Sequence, residues 1–135
     1  MKVFLDSNFL IYLNAMTSGE RRKFDELFVR LIKDQVFINI LVVNEVLYVS
    51  RKYGLSYEAT LKFLRSIVLP YVEVVSIGEG DLNLVEKYLL KYRLKPSDAM
   101  HLATIEKTGA NYIVSEDEDF DKVEEVKRIW INTNF

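Results

Sequence analysis

Val3-Phe4-Leu5-Asp6-Ser7-Asn8, running on into Phe9-Leu10-Ile11-Tyr12-Leu13, decides how the rest of the chain is read. Val3 to Leu5 are apolar without alternation, the pattern of a short strand covered on both faces, as in a parallel sheet between helices. Asp6 then puts a carboxylate where that strand ends. In open α/β sheets, sites form just beyond the carboxyl ends of strands, so an acid there is informative. It is also an ordinary helix N-cap, with Ser7 or Asn8 sharing the role. Only the arrival of further acids at equivalent places separates the two readings.

Outward from this stretch, strands and helices alternate. Gly19 punctuates after the first helix, and Phe24, Leu27, Phe28, Leu31 and Ile32 follow the i, i+3, i+4, i+7, i+8 spacing of an amphipathic helix. Val36 to Ile40 reads as a second strand, weakened by Asn39. Val42, Val43, Val46, Leu47, Val49 and Tyr53 form a third helical stripe stopped by Gly54. Ser56 caps a fourth helix that Pro70 ends. Val72 to Val75 is a third strand, and Asp81 caps a fifth helix after Gly78 and Gly80. Pro96-Ser97 opens a sixth helix, Asp98 to Thr108, with Gly109 in the C′ position. Tyr112 to Ser115 is a fourth strand. Val126 to Ile131 is a fifth, at an edge because Lys127 and Arg128 begin it. Right-handed crossovers between such strands give a mostly parallel sheet with helices on both faces. The expected fold is a three-layer α/β/α sandwich forming one domain over residues 1–135.

The totals narrow the function classes. Half of the 135 residues are hydrophobic and 28% are charged, a globular balance. There is no cysteine, which excludes disulfides and thiolate metal sites and fits a reducing cytoplasm. The N-terminus does not read as a signal peptide, and no apolar run approaches the ~20 residues that span a bilayer. A cytoplasmic, non-membrane protein is therefore expected. Glu116, Asp117, Glu118, Asp119, Asp121, Glu124 and Glu125 are seven acids in ten residues, offset by Lys122. The remainder carries 17 bases against 13 acids, a net +4. An acidic patch on a basic body suits a cation-filled site that meets a polyanion; it equally suits a solvated loop.

Further acids do arrive. Glu45 falls in the first turn of the third helix, beside the apolar Val46 and Leu47. It lacks a capping-box partner, since Val42 stands three residues before it. Asp98 opens the sixth helix next to Ala99, Leu102 and Ala103, and Asp117 and Asp119 follow the fourth strand. For Asp98 a favourable helix-dipole position is a competing explanation, and for Asp117 and Asp119 ordinary solvation is. Taken together, these acids share one edge of the sheet. Gathered carboxylates repel and their pKa values rise unless a cation neutralises them. Oxygen ligands without His or Cys suit Mg²⁺ or Mn²⁺, and Mg²⁺ commonly meets phosphate oxygens, which favours phosphodiester or phosphoryl transfer.

Phe4-Leu5-Asp6-Ser7-Asn8, Asn44-Glu45-Val46, Pro96-Ser97-Asp98-Ala99-Met100-His101-Leu102-Ala103 and Val114-Ser115-Glu116-Asp117-Glu118-Asp119-Phe120, in that order, resemble a PIN domain. The chain is most similar to the small stand-alone ribonuclease toxins of the VapC kind, over essentially its whole length. The resemblance implies a PIN-like parallel five-stranded sheet in the order 3-2-1-4-5. It implies that Asp6, Glu45, Asp98 and Asp117 bind one or two Mg²⁺ or Mn²⁺ ions and carry catalysis, with Asp119 an auxiliary metal ligand. Ser7, Asn8 and Ser115 are then supporting polar groups. It further implies metal-dependent hydrolysis of single-stranded RNA to 5′-phosphate and 3′-hydroxyl ends, a cognate antitoxin and homodimerisation. Position 115 is Ser where Thr is commoner in the family, which keeps the hydroxyl.

Other residues say less. His101, the only histidine, reads as a packed or surface helical residue and not a catalytic one. Arg21-Arg22-Lys23, Arg51-Lys52 and the bases between Lys91 and Lys95 are either phosphate contacts or solvated helix ends. Tyr12, Tyr48, Tyr53 and Tyr57 either stack bases or pack at a core or interface. A haloacid-dehalogenase-type phosphatase needs a second Asp two residues after the first, where Asn8 stands. Neither G-x-G-x-x-G nor G-x-x-x-x-G-K-[ST] occurs, which disfavours a nucleotide-binding doubly wound domain. An inactive PIN-like binding module, or an RNA-processing nuclease outside a toxin–antitoxin pair, are the remaining alternatives.

Overall fold

The unbroken apolar run at the N-terminus is the central strand of a five-stranded sheet. A computed structural model describes residues 1–135, with β1 at Lys2–Leu5. The chain continues through α1 (Ser7–Ala15), α2 (Ser18–Leu31), β2 (Gln35–Asn39), α3 (Ile40–Lys52), α4 (Tyr57–Phe63) and β3 (Val72–Val75). Then come α5 (Leu82–Tyr92), α6 (Pro96–Thr108), β4 (Tyr112–Val114) and β5 (Lys127–Ile129). All four strand pairings are parallel and the order is β3-β2-β1-β4-β5. This is the expected PIN-like α/β/α arrangement, with β5 at an edge.

Val3 lies beside both Val36 and Tyr112, and Leu5 beside Val114. The chain winds outward one way through β2 and β3, then crosses back to β4 and β5. The switch point thus falls between β1 and β4, the place where open α/β sheets form their sites, beyond the strand ends. The ladder runs one step past the strands, since Asp6 N donates to Val114 O at 3.0 Å and Ser115 N to Ile129 O at 3.1 Å. Asp6 and Ser115 are consequently fixed in position by backbone bonds before any side chain acts.

Phe4, Leu5, Phe9, Leu10, Leu31, Ile38, Leu102, Ile113 and Ile129 form the centre of one continuous core. Ala99 and Ala103 let α6 lie close, so that its residues 98–105 are buried apart from a half-buried Met100. Phe120 is fully buried and anchors the acidic segment after β4, which folds into a 3₁₀ turn over Glu118–Lys122. Burial of such a side chain contributes on the order of 2 to 3 kcal/mol, enough to hold an otherwise wet loop on the body.

Several local expectations are corrected. Gly19 does not separate elements; it lies in the first turn of α2. Asn39 does not weaken β2 but ends it, and its side chain caps α3 by accepting from Val42 N at 3.1 Å. Because α3 therefore starts at Ile40, Glu45 sits in its second turn, beyond the amides that a first-turn acid would complement. Asp81 spends its carboxylate on Gly78 N at 2.9 Å, in the 3₁₀ turn preceding α5, and leaves the α5 amides uncapped. α4 runs on into a π-helical turn, Leu64–Val68, before Pro70 ends it. No helix is long and apolar enough to cross a membrane.

Candidate active site

Asp6 serves as cap and site acid at once, because its two oxygens divide the work. Oδ1 accepts from Ser7 N at 2.8 Å, capping α1, while Oδ2 accepts from Ser115 Oγ at 2.6 Å and Asn8 Nδ2 at 3.3 Å. Asp6 is only 5% exposed. Burial pushes its carboxyl up; His101, Ser115 and Ser7 oppose this, and the Glu45 charge adds to it.

Glu45 reaches the same place from α3. Its Oε2 accepts from Ser7 Oγ at 2.7 Å. Its Oε1 is buried, has no hydrogen-bond partner, and faces His101 Nε2 at 3.4 Å. Burial raises this carboxyl, but the contacts to His101 and Ser7 and the Lys95 charge outweigh it and hold the group below the usual range.

Asp98, 8% exposed at the start of α6, lies near enough for the Asp6 charge to act on it. Its carboxyl is pushed up to about 6, first by burial and then by the Asp6 charge, with Asp117 adding to it and His101 and Lys95 opposing. That repulsion is the electrostatic signature of acids brought together. Asp117 is half-buried: its amide donates to Ser115 Oγ at 3.0 Å and its Oδ1 accepts from Asp119 N at 2.9 Å. Asp119 stays exposed and engages the site only through that amide. Asn8 pins the loop from α1, accepting from Glu116 N at 3.2 Å and donating to Ser115 Oγ at 3.2 Å.

His101, expected as a packed or surface helical residue, is packed, and what it packs against is the site acids. It is fully buried, and its Nε2 also lies 3.7 Å from Asp6 Oδ1, so ligand atoms of Asp6, Glu45 and His101 gather within 4.8 Å of one another. The signal was its position three residues after Asp98. Helical neighbours at i and i+3 share a face, so an inward Asp98 brings His101 with it. Of the basic residues Lys95 is near enough for its charge to act on Glu45 and Asp98; Tyr48, Tyr53 and Tyr57 are exposed, and the Tyr12 hydroxyl donates to Glu116 at 2.6 Å.

The donor set fits a hard divalent cation. Asp6 and Glu45 offer carboxylate oxygens, one buried oxygen of Glu45 has no partner, and the Asp6 charge helps to raise the pKa of Asp98; neither Asp98 nor Asp117 belongs to the group whose ligand atoms lie within 4.8 Å of one another. Fold and site together define a class: a parallel α/β domain with buried acids gathered near its switch point. The family model described as PIN domain matches residues 3–126, and the chain belongs to the PIN domain family. It is 27% identical over 137 aligned positions to Ribonuclease VapC2 of Methanocaldococcus jannaschii, covering 91% of this chain and 89% of that protein. In fold it is similar to Mycobacterium tuberculosis VapC20, a sarcin-ricin loop cleaving toxin, with a TM-score of 0.73, 16% identity and coverage of 92% and 96%. A toxin–antitoxin complex from Klebsiella pneumoniae gives a TM-score of 0.70, 20% identity and coverage of 93% and 95%.

Proposed function

We propose that residues 1–135 form a metal-dependent endoribonuclease domain, acting on single-stranded RNA as the toxin of a toxin–antitoxin pair. The observation that carries this is the gathering of Asp6 and Glu45 around a buried, unpartnered Glu45 oxygen, with the buried Asp98 near enough to feel the Asp6 charge. The likeness to a relative named as a ribonuclease, and to solved toxins, supports the choice of RNA and of an antitoxin partner.

Asp6, Asp98 and Asp117 would hold Mg²⁺ or Mn²⁺, with Glu45 and Asp119 joining them. A divalent ion there stabilises charge developing on a phosphoryl group and lowers the pKa of water toward neutrality. The protein's own groups prepare that chemistry. Ser115 and Ser7 aim the Asp6 and Glu45 oxygens, and Asn8 fixes the loop that carries Asp117. No side-chain nucleophile is required. Exposed Tyr48 on α3, Tyr53 just past its end, and Leu82 and Leu90 on α5 leave apolar surface for an antitoxin or a second copy.

The test is cleavage of RNA that stops on chelation and returns with Mn²⁺, leaving 5′-phosphate ends. Crystals soaked in Mn²⁺ should show anomalous density between Asp6, Asp98 and Asp117. Density elsewhere, or cleavage indifferent to chelator, refutes the reading; an RNA-inert protein that still captures a partner supports the binding module.

A further inference from the structure

We propose that His101 is a positioning residue of this site and not a metal ligand: Asn39 and Thr104 hold its imidazole in the neutral Nε2–H tautomer, with that N–H aimed at Glu45 and Asp6. The proton assignments follow one from another along a buried chain of contacts. Asn39 Oδ1 accepts from Val42 N at 3.1 Å, so the amide oxygen is committed to capping α3. The Asn39 amino group therefore faces Thr104 Oγ1 at 3.0 Å and His101 Nδ1 at 3.1 Å. The Thr104 hydroxyl spends its proton on Met100 O at 3.1 Å, leaving Oγ1 to accept from Asn39. The second amino hydrogen of Asn39 must then go to His101, so Nδ1 is the bare nitrogen. A neutral imidazole with a bare Nδ1 carries its proton on Nε2.

Turning the Asn39 amide over would break this order, setting an NH₂ group against the Val42 amide and uncapping α3. The Phe4 ring, 5.2 Å from the imidazole, fixes its plane from the sheet side. Nε2, 3.4 Å from Glu45 Oε1 and 3.7 Å from Asp6 Oδ1, has no other partner, and Glu45 Oε1 has none either. A small movement of the carboxylate closes this pair into a hydrogen bond. A nitrogen carrying a proton offers no lone pair to a cation, so the donor set seen by a metal remains oxygen. What His101 supplies is orientation of Glu45, of the kind by which outer partners tune ligands.

A single histidine makes the test direct. Protein labelled with ¹⁵N-histidine gives the two ring nitrogens of His101 alone. Metal-free protein at slightly alkaline pH should show a proton on Nε2 and a bare Nδ1, unchanged when Mg²⁺ is added. A proton on Nδ1, before or after Mg²⁺, overturns the proposal. Asn39→Asp keeps the capping oxygen but puts an acceptor against Nδ1, and should move the proton there; an unmoved proton counts against the relay. The positioning role rests on the nuclease reading and is measured separately, as Mn²⁺ binding by calorimetry. His101→Leu should weaken it about 10- to 100-fold. His101→Gln, whose amide nitrogen reaches the Nε2 position, should restore it to within a few-fold of the parent. Equal affinity in the Leu variant removes the role. A parent that binds no Mn²⁺ defeats the nuclease reading, while the tautomer is still decided by the metal-free spectrum.

Discussion

Ser115 Oγ donates to Asp6 Oδ2 at 2.6 Å although the two residues are 109 positions apart. The same hydroxyl oxygen accepts from Asn8 Nδ2 at 3.2 Å and from Asp117 N at 3.0 Å. One buried oxygen thus joins the end of β1, the first turn of α1 and the acidic loop after β4. The Asp6 and Glu45 carboxylates accept their hydrogen bonds from neutral donors, so their charge remains available to a metal.

Ser115→Ala should therefore act on both fold and site. It leaves the Asp117 amide and one Asp6 oxygen short of a partner, at a cost of about 1 to 3 kcal/mol. It should also weaken Mn²⁺ binding and cleavage by roughly tenfold or more. Ser115→Thr keeps the hydroxyl and should stay near the parent. Denaturant unfolding together with metal titration checks this, and a parental Ala variant sinks it.

Asp6→Asn should abolish metal-dependent cleavage while leaving the protein as stable or more so. Asn is a good N-cap, so α1 keeps its first turn. The substitution removes a buried charge that repels Glu45 and Asp98. Relief of about 1 kcal/mol corresponds to a melting temperature about 4 °C higher for a chain of this length. A variant that cuts RNA as fast as the parent takes Asp6 out of the mechanism.

The pocket should also show in the pH dependence of stability. Asp98 sits near 6 when folded, against about 3.9 in an unfolded chain. Between those values the folded state binds more protons, so stability of the metal-free protein falls as pH rises from about 4 to about 6. The loss attributable to Asp98 should be on the order of 1 to 2 kcal/mol. Asp6 works in the same direction; Glu45, held below its usual range, works in the opposite one. Melting curves across this window, compared with Asp98→Asn, isolate the effect. The variant should lose part of the fall, and Mn²⁺ should stabilise the parent most above pH 6. Identical pH profiles for parent and variant would contradict the assignment.

Much of this was legible because strand ends and helix starts are marked by short-range chemistry. Val3 to Leu5 without alternation, Gly109 at a C′ position with φ +76° and the acids after the first, second and fourth strands are local signals that tertiary structure did not override. Asn39 is misjudged from the sequence, and the surroundings of His101 are not foreseen, because the meaning of both is not local. Asn39 looks like a polar flaw in a strand until its side chain is seen capping α3 and bonding to α6. His101 looks like a packed helical residue, which it is, but what it packs against is set by the crossing of α6 over β1 and α3. Arg128 shows the same limit. As one of two bases opening β5 it marked an edge strand, and only its partner Lys127 stays exposed to solvent as such residues do.

Arg128 instead folds back over the acidic loop. Its Nε and Nη2 donate to the two oxygens of Asp121 at 2.9 and 3.1 Å, and its Nη1 donates to Ser115 O at 3.1 Å. With Phe120 as the apolar anchor, this guanidinium is the polar one, holding the segment that carries Asp117. Arg128→Lys retains the charge but cannot span three acceptors with a planar fork. If the fork is what matters, Lys should loosen the loop nearly as much as Ala does. Amide hydrogen exchange over residues 116–120 should quicken in both variants, with a stability cost of about 1 kcal/mol and a fall in cleavage of roughly tenfold. The balance is informative, because removing a positive charge beside an acidic pocket should by itself strengthen cation binding. Arg128→Ala binding Mn²⁺ more weakly than the parent would mean that loop order outweighs charge. Arg128→Lys with parental amide protection would mean that charge alone holds the loop.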